Sequence, residues 1–228
     1  MDRRYRSGMA KPKKGLEAPR VDEPDPQDLT EIAAEELGSR ESHDARHVAS
    51  ADLSEYDLEG STFSECLLEG LTLGSTRLRG SRFIESVVTD SFAPELSAAR
   101  TTWRTIRIDR PRWGSAELFD ASLESVRISG GKIDFLNLRG SVLTDVVIEG
   151  CSIGELDLGQ VRATRVALVD CRIGTLDVSG ASLSSVDLRS STFDRIDGLD
   201  GLRGAIIDDS QLSLLAELFA AQLGVIVE

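Results

Sequence analysis

Apolar residues recur at every fifth position over most of the chain. The series runs without a slip of register from Leu53 to Phe193 and lapses only at Ala93 and Ala98. Neither an α-helix nor a β-strand repeats at five residues, because their periods are 3.6 and 2. Each group of five therefore predicts one side of a turning chain, with its central apolar residue directed inward. Four such sides complete a coil of twenty residues.

A second period of twenty residues supports this interpretation. Residues 146–206 align with themselves three times in rows of twenty, and a second inward position lies two residues before each central one. That position sorts by side, with large aliphatic residues on two sides and small residues on the others: Leu136, Leu156, Leu176 and Ile196; Val126, Val146, Val166, Val186 and Ile206; Cys151, Cys171, Ala121, Ser141 and Ala181. Like residues stack on like in a solenoid, because each coil packs on its neighbours.

Glycines mark the corners of the predicted coil. They occupy the fifth position of their groups, where a corner needs positive φ: Gly60, Gly70, Gly80, Gly130, Gly140, Gly150 and Gly180.

The repeat divides the chain into four segments. Residues 1–27 begin basic and become acidic and proline-bearing, which predicts a disordered tail that is solvated rather than bound to nucleic acid or lipid. Residues 28–50 are a lead-in with a short helix from an Asp28 cap to a Gly38 stop, and residues 51–207 form the repeat domain. Residues 208–228 contain a helix to about Leu223, ended by Gly224, and a short strand.

The groups at 51–55, 121–125 and 181–185 resemble the A-(D/N)-L-x-x consensus of the pentapeptide repeat family. The resemblance covers about residues 51–208 and implies an all-β solenoid, a right-handed quadrilateral β-helix of about eight coils with a C-terminal capping α-helix. The match fails between Ser91 and Thr105, which predicts a bulged or thinly packed coil. An arginine-rich stretch lies in and after this gap, a candidate contact site or a local basic patch: Arg100, Arg104, Arg107, Arg110 and Arg112.

The composition limits the classes of partner that the chain is expected to bind. The formal net charge of −13 disfavours direct nucleic-acid binding by the repeat domain. Three cysteines are an odd set that favours a reduced cytoplasmic compartment, although Cys151 and Cys171 lie one coil apart and a disulfide between them is conceivable. No run of eighteen apolar residues occurs, so we expect no membrane span.

The chain lacks the motifs of an enzyme, so we expect no catalytic residues, cofactor or metal. No phosphate-binding loop or zinc-ligand pair is present. His43 and His47, four residues apart, could bind a metal from one helix face, but a surface loop is the favoured interpretation of that segment.

Two functions stay open. The first is a scaffold or protein-interaction module. The second follows from the resemblance, because some pentapeptide repeat proteins mimic DNA, bind DNA gyrase and confer quinolone resistance. A candidate acidic column supports it, with Asp57 near its start, opposed by Arg77: Glu117, Asp157, Asp177 and Asp197. The alternative is that this position is simply polar throughout the repeat. Residues 51–207 carry 24 carboxylates and 17 cations, a net of −7, against about 22 charges on B-DNA of equal length.

The C-terminal helix has two apolar faces. One is suited to closing the open last coil: Leu212, Leu215, Ala216, Phe219 and Leu223. Leu214, Leu218 and Ala221 form the second, which predicts a two-fold homodimer; gyrase-binding relatives are similar in pairing through C-terminal elements. The alternative is that residues 225–227 fold back over this face.

Overall fold

A computed structural model describes residues 17–226. This part of the chain contains eighteen β-strands, which follow one another in the order β1 Thr30–Glu31, β2 Ser42–Asp44, β3 Arg46–Ala49, β4 Thr62–Ser64, β5 Leu67–Glu69, β6 Arg82–Thr89, β7 Phe92–Ser97, β8 Thr102–Asp109, β9 Arg112–Glu117, β10 Ser122–Ser129, β11 Lys132–Asn137, β12 Val142–Glu149, β13 Ser152–Asp157, β14 Arg162–Val169, β15 Arg172–Asp177, β16 Ser182–Asp187, β17 Thr192–Asp197 and β18 Ala205–Ile206. Short 3-10 helices occupy Ala34–Glu36 and Leu199–Leu202, and the α-helix α1 spans Asp209–Gln222.

The strands form two parallel sheets that wind into a solenoid of about nine turns. Six strands, β7, β9, β11, β13, β15 and β17, make one sheet, and the remaining twelve make the other. From β2 to β17, partners are offset by twenty residues, as in Ile133 with Ile153 and Leu136 with Leu156. The predicted β-solenoid with a C-terminal helix is therefore confirmed.

The core is the stack of inward residues that the sequence indicates. Leu136, Leu156 and Leu176 are fully buried, and the four inward valines are at most 2% exposed: Val126, Val146, Val166 and Val186. Like side chains thus pack on like from one coil to the next, which buries a continuous aliphatic core. The seven predicted corner glycines have φ between 60° and 71°, so their assignment to corners is confirmed.

Small polar side chains tie each coil to the one before it. The hydroxyl of Ser81 donates to the carbonyl of Leu58 at 2.7 Å, and that of Thr76 to the carbonyl of Leu53 at 2.7 Å. Ser141, Ser191 and the Cys171 thiol make the same bond to the residue 23 positions earlier. Each of these buried donors is thereby satisfied by the main chain of the neighbouring coil.

The bulge predicted between Ser91 and Thr105 is wrong. Strand β7 pairs with β9 without interruption, and Ala93 lies opposite Trp113. Both residues are buried, so the large indole of one coil compensates for the small side chain of the other. An apolar cavity of about 30 Å³ lies along the axis of the first coils and reaches this one at Leu96, Trp103 and Trp113.

Sheet pairing begins about one coil upstream of Ala51. In place of the helix predicted from Asp28 to Gly38, the chain forms β1 and the short 3-10 helix.

His43 and His47 lie in β2 and β3 rather than in a surface loop. The ring of His43 is buried and stacks on Phe63 at 5.1 Å between centroids, because it occupies a central inward position of the repeat.

Residues 17–27 lie along the side of the rod, where the sequence predicted a disordered tail. The backbone N–H of Arg20 donates to Asp145 Oδ1 at 2.9 Å, and that of Asp22 donates to Ser125 Oγ at 2.8 Å. Pro24 is buried against the coils. The basic residues predicted to form the rest of the tail, 1–16, lie outside the described residues.

Helix α1 closes the other end. Asp208 caps it by accepting from the N–H of Gln211 at 2.8 Å, and Gly224, with φ of 73°, follows its last turn. The helix thus begins after a capping carboxylate and ends before Gly224, where the sequence predicts its end.

Candidate functional site

The candidate acidic residues lie in one column of the six-stranded sheet. Asp157 is paired with Asp177, and Asp177 with Asp197, while Asn137 separates Glu117 from Asp157. The fold therefore brings them together on one side of the rod, at the spacing of neighbouring parallel strands.

The carboxylates of this column hold the corner that follows them. Asp157 Oδ1 accepts from the N–H of Gly159 at 2.7 Å, and Asp177 Oδ1 from the N–H of Ser179 at 2.8 Å. Asn137 accepts from the N–H of Arg139 at 3.0 Å in the same way. This is the Asx turn, in which a short side chain replaces a backbone acceptor two residues on.

Arg139 neutralises the middle of the column. Its Nε donates to Asp157 Oδ2 at 2.9 Å and its Nη2 to Asp177 Oδ2 at 2.7 Å. Burial opposes ionisation of Asp177, but the hydrogen bonds from Ser179 and the charge of Arg139 hold its pKa below the ordinary value. Sequence reasoning missed Arg139, because the guanidinium reaches the column from a position two residues away.

The carboxylates of the column differ in their exposure. The side chains of Asp157 and Asp177 are 11% and 20% exposed, whereas that of Asp197 is 38% exposed and pairs with Arg195 at 2.8 Å. Free, outward carboxylates contribute little to folding, but Asp157 is a sheltered group with two hydrogen-bond partners. It cannot be reversed in charge without cost to the fold.

The arginine-rich stretch is largely paired. Arg110 makes two hydrogen bonds to the carboxylate of Asp90, at 2.8 and 2.6 Å. Those bonds lower the pKa of Asp90 to about 2. Arg107 lies 3.0 Å from Asp109, and Arg100 lies 3.7 Å from Asp120.

The C-terminal helix carries an apolar surface. Leu214 is 77% exposed and Leu218 is 46% exposed, and Ala221 lies on the same side. Beside them, a groove of about 410 Å³ between α1 and the last coil is lined by Phe193, Ile196 and the two leucines, among others.

The capping face of α1 is narrower than predicted. Leu215 is buried and Phe219 half-buried, but Leu212, Ala216 and Leu223 are exposed, because the helix meets the last coil along a single line. Gln211 begins that line, and its Nε2 donates to the carbonyls of Leu188 and Ser191 at 2.7 Å each. Val225 and Ile226 are 54% and 84% exposed, so the predicted alternative, a fold-back over the second face, is not seen; Val227 lies outside the described residues.

Within residues 17–226, no group of three or more His, Cys, Asp and Glu side chains could hold a metal ion. The cysteines Cys66, Cys151 and Cys171 are buried free thiols. No helix in the described part is long and apolar enough to cross a membrane.

Comparisons with known proteins give structural neighbours only. No protein-family model and no curated protein matches the chain. Among solved structures, the chain is similar to trypsin-treated QnrB1, a plasmid-mediated fluoroquinolone resistance protein, with 18% identity over 87% of this chain and 96% of that one, and a TM-score of 0.34. It is also similar to HetL, a pentapeptide repeat protein involved in heterocyst differentiation regulation from the cyanobacterium Nostoc, with 15% identity over 77% and 94%, and a TM-score of 0.36.

At these identities and TM-scores the likenesses carry no argument about function, which rests on the surfaces of the chain itself. The geometry of the coil is independent of them. Its sides of five residues, its corners at Gly60, Gly70 and Gly80, and its strand offset of twenty residues repeat along the rod. By that geometry the chain is a β-solenoid built of five-residue repeats.

Proposed function

We propose that the chain is a non-enzymatic protein-interaction module, a scaffold that assembles as a homodimer through α1. The observation that carries the proposal is the exposure of Leu214 and Leu218 beside a groove at the end of the rod. An exposed apolar patch of this kind is typical of an interaction site. A two-fold axis would bring the same face of a second copy onto it.

The dimer is tested by sedimentation equilibrium of the full chain at tens of micromolar. We expect a dimer for the wild type and a monomer for the double variant Leu214→Glu with Leu218→Glu. Phe92→Glu is the matched control, because Phe92 is also 49% exposed but lies on the side of the rod. A wild-type monomer would overturn the proposal, as would a control variant that dissociates equally.

A second candidate is a DNA mimic that binds DNA gyrase. The column that contains Asp157, Asp177 and Asp197 favours it, and the pairing with Arg139 weakens it. The informative variant is Glu117→Lys with Asp197→Lys, which leaves the sheltered Asp157 in place. The DNA-mimic function would be supported if the wild type inhibits supercoiling by gyrase, this variant inhibits it less, and Asp134→Lys inhibits it as strongly as the wild type. Absence of inhibition by the wild type would remove it.

We also propose a cytoplasmic location. Three free thiols support it, because reducing compartments keep cysteines in this form.

A further inference from the structure

Residues 17–24, the strap, follow one corner of the rod across several coils. The backbone N–H of Glu17 donates to Ser185 Oγ at 3.3 Å, that of Arg20 to Asp145, and that of Asp22 to Ser125. The acceptors differ by multiples of twenty, so they lie on a single corner. The strap therefore runs against the coil order, from a late coil to earlier ones.

Arginines of the rod face the carboxylates of the strap. Glu23 Oε1 lies 2.7 Å from Arg127 Nε, and Glu23 Oε2 lies 3.9 Å from Arg107 Nη1. Glu17 Oε2 lies 3.9 Å from Arg165 Nη1. The side chains of Arg127 and Arg165 are 13% and 21% exposed, so two guanidinium groups are sheltered along this corner. Arg165 also makes two hydrogen bonds to Asp145, and Arg127 makes one to Glu149. The 2.7 Å pair of Glu23 with Arg127 is therefore the contact in which charge complementarity positions the strap.

Two features make this site general for an extended chain. First, the three hydrogen bonds use backbone N–H groups of the strap, which every non-proline residue supplies. Second, Glu17, Arg20, Asp22 and Glu23 are exposed, and Pro24 is the one buried residue of the strap. Segments of this kind open at little free-energy cost compared with the core.

We propose that this corner is a binding groove for an extended acidic peptide of a partner protein, and that the strap fills it in cis. The groove is formed by Ser125, Asp145, Ser185, Arg107, Arg127 and Arg165. The inference rests on the proposed interaction role and gives that role a face and a class of partner. Residues 17–27 carry four carboxylates and one arginine, a net of −3, which is the chemistry that the groove selects.

Tethering explains why the wild-type groove is closed. A segment linked to its site has an effective concentration on the order of millimolar, so a free peptide with the same contacts competes poorly. A partner gains access when the strap is weakened, and the strap then acts as a built-in competitor.

The test uses the full chain and a fluorescent peptide with the sequence of residues 17–27. We expect the peptide to bind the strap variant Glu17→Arg with Glu23→Arg at least tenfold more tightly than the wild type, measured by fluorescence anisotropy. Adding Arg127→Gln, or separately Arg107→Gln, to the strap variant is expected to remove most of that gain. Glu155→Arg in the wild type is the matched control, because Glu155 is exposed on the other sheet, and it is expected to bind no more tightly than the wild type.

Three results of the peptide assay would overturn the proposed binding groove. They are no peptide binding by the strap variant, binding that neither arginine substitution weakens, and equal binding of a peptide in which Gln and Asn replace the acidic residues. A wild-type dimer that the strap variant converts to a monomer would assign the groove to the strap of a second copy and would also overturn it. Sedimentation of the Leu214→Glu, Leu218→Glu variant reports on α1 instead, so the two proposals fail separately.

Discussion

Asp157 shows how a position at the end of a strand, just before a corner, determines the chemistry of its side chain. The carboxylate must accept from the N–H of Gly159, and its second oxygen meets Arg139. A net count of acidic residues treats Asp157 and Asp197 alike, although one is sheltered and the other is exposed. The carboxylates of the column therefore serve first to stabilise the fold, and any contact with a partner must use those that remain accessible.

Replacing Asp157 with Ala is expected to destabilise the fold by about 1–3 kcal/mol, because a buried N–H and a guanidinium lose their acceptor. Urea denaturation followed by circular dichroism measures the change. Asp134→Ala is the matched control, because the Asp134 pair with Lys132 is 67% and 73% exposed and exposed pairs contribute little. Equal midpoints for the two variants would contradict this role for Asp157.

At the scale of the elements, the aromatic column shows how one coil continues into the next. His43, Phe63, Phe83 and Trp103 stack with centroid separations of 5.1, 5.2 and 4.2 Å. Burial lowers the pKa of His43, Arg46 adds to the effect, and Glu41 opposes it. Among the described residues, no group makes a hydrogen bond to His43 Nε2. The first coils thus place a neutral imidazole where later coils place an apolar side chain.

The stability of the chain is expected to fall between pH 7 and about pH 5.5 because of His43. Its folded pKa lies below the ordinary 6.5, so the unfolded state binds the proton more readily and gains as the pH falls. His43→Phe is expected to remove that dependence, whereas the half-buried His47, changed to Gln, should preserve it. Melting temperatures across this range provide the measurement, and parallel curves for His43→Phe and wild type would refute it.

The repeat made the rod predictable, because burial at a central position depends on the residue itself and on its equivalents twenty positions away. The five-residue register also continues upstream of Leu53, through Val48 and His43. The spacing of Leu29, Ile32 and Leu37 fits a helix as well, so the sequence did not indicate that sheet pairing begins in this segment. The strap gave no local signal. Its composition is that of a disordered segment, and its partners, such as Asp145 and Ser185, lie more than a hundred residues away.

At the scale of the whole molecule, the rod is a one-dimensional array whose ends need protection. Each coil contacts its neighbours, so opening starts where a neighbour is missing. At the C-terminal end, Gln211 makes the contact that a further coil would make. Its amide bonds to the carbonyl 23 residues earlier, as the hydroxyls and thiols of the preceding coils do.

Gln211→Glu is expected to open the last coils selectively. The substitution keeps an acceptor for the N–H of Asp208 but removes the donor to Leu188 and Ser191. Hydrogen exchange followed by mass spectrometry should show faster exchange in β16 and β17 and unchanged exchange in β8. Ser213→Ala, on the exposed side of α1, is the control. Uniform acceleration along the rod would show that the coils unfold as one unit.

The hydrogen bonds of the strap also depend on the number of coils between their acceptors. A solenoid can gain twenty residues without disturbing its sheets, because an inserted coil pairs with those above and below it. A coil added between Asp145 and Ser185 would move these two acceptors about 4.8 Å further apart along the axis, while the chain between Glu17 and Arg20 would keep its length. The strap therefore acts as a measure of length along the rod, so an inserted coil that the sheets tolerate would still separate the strap from one of its acceptors.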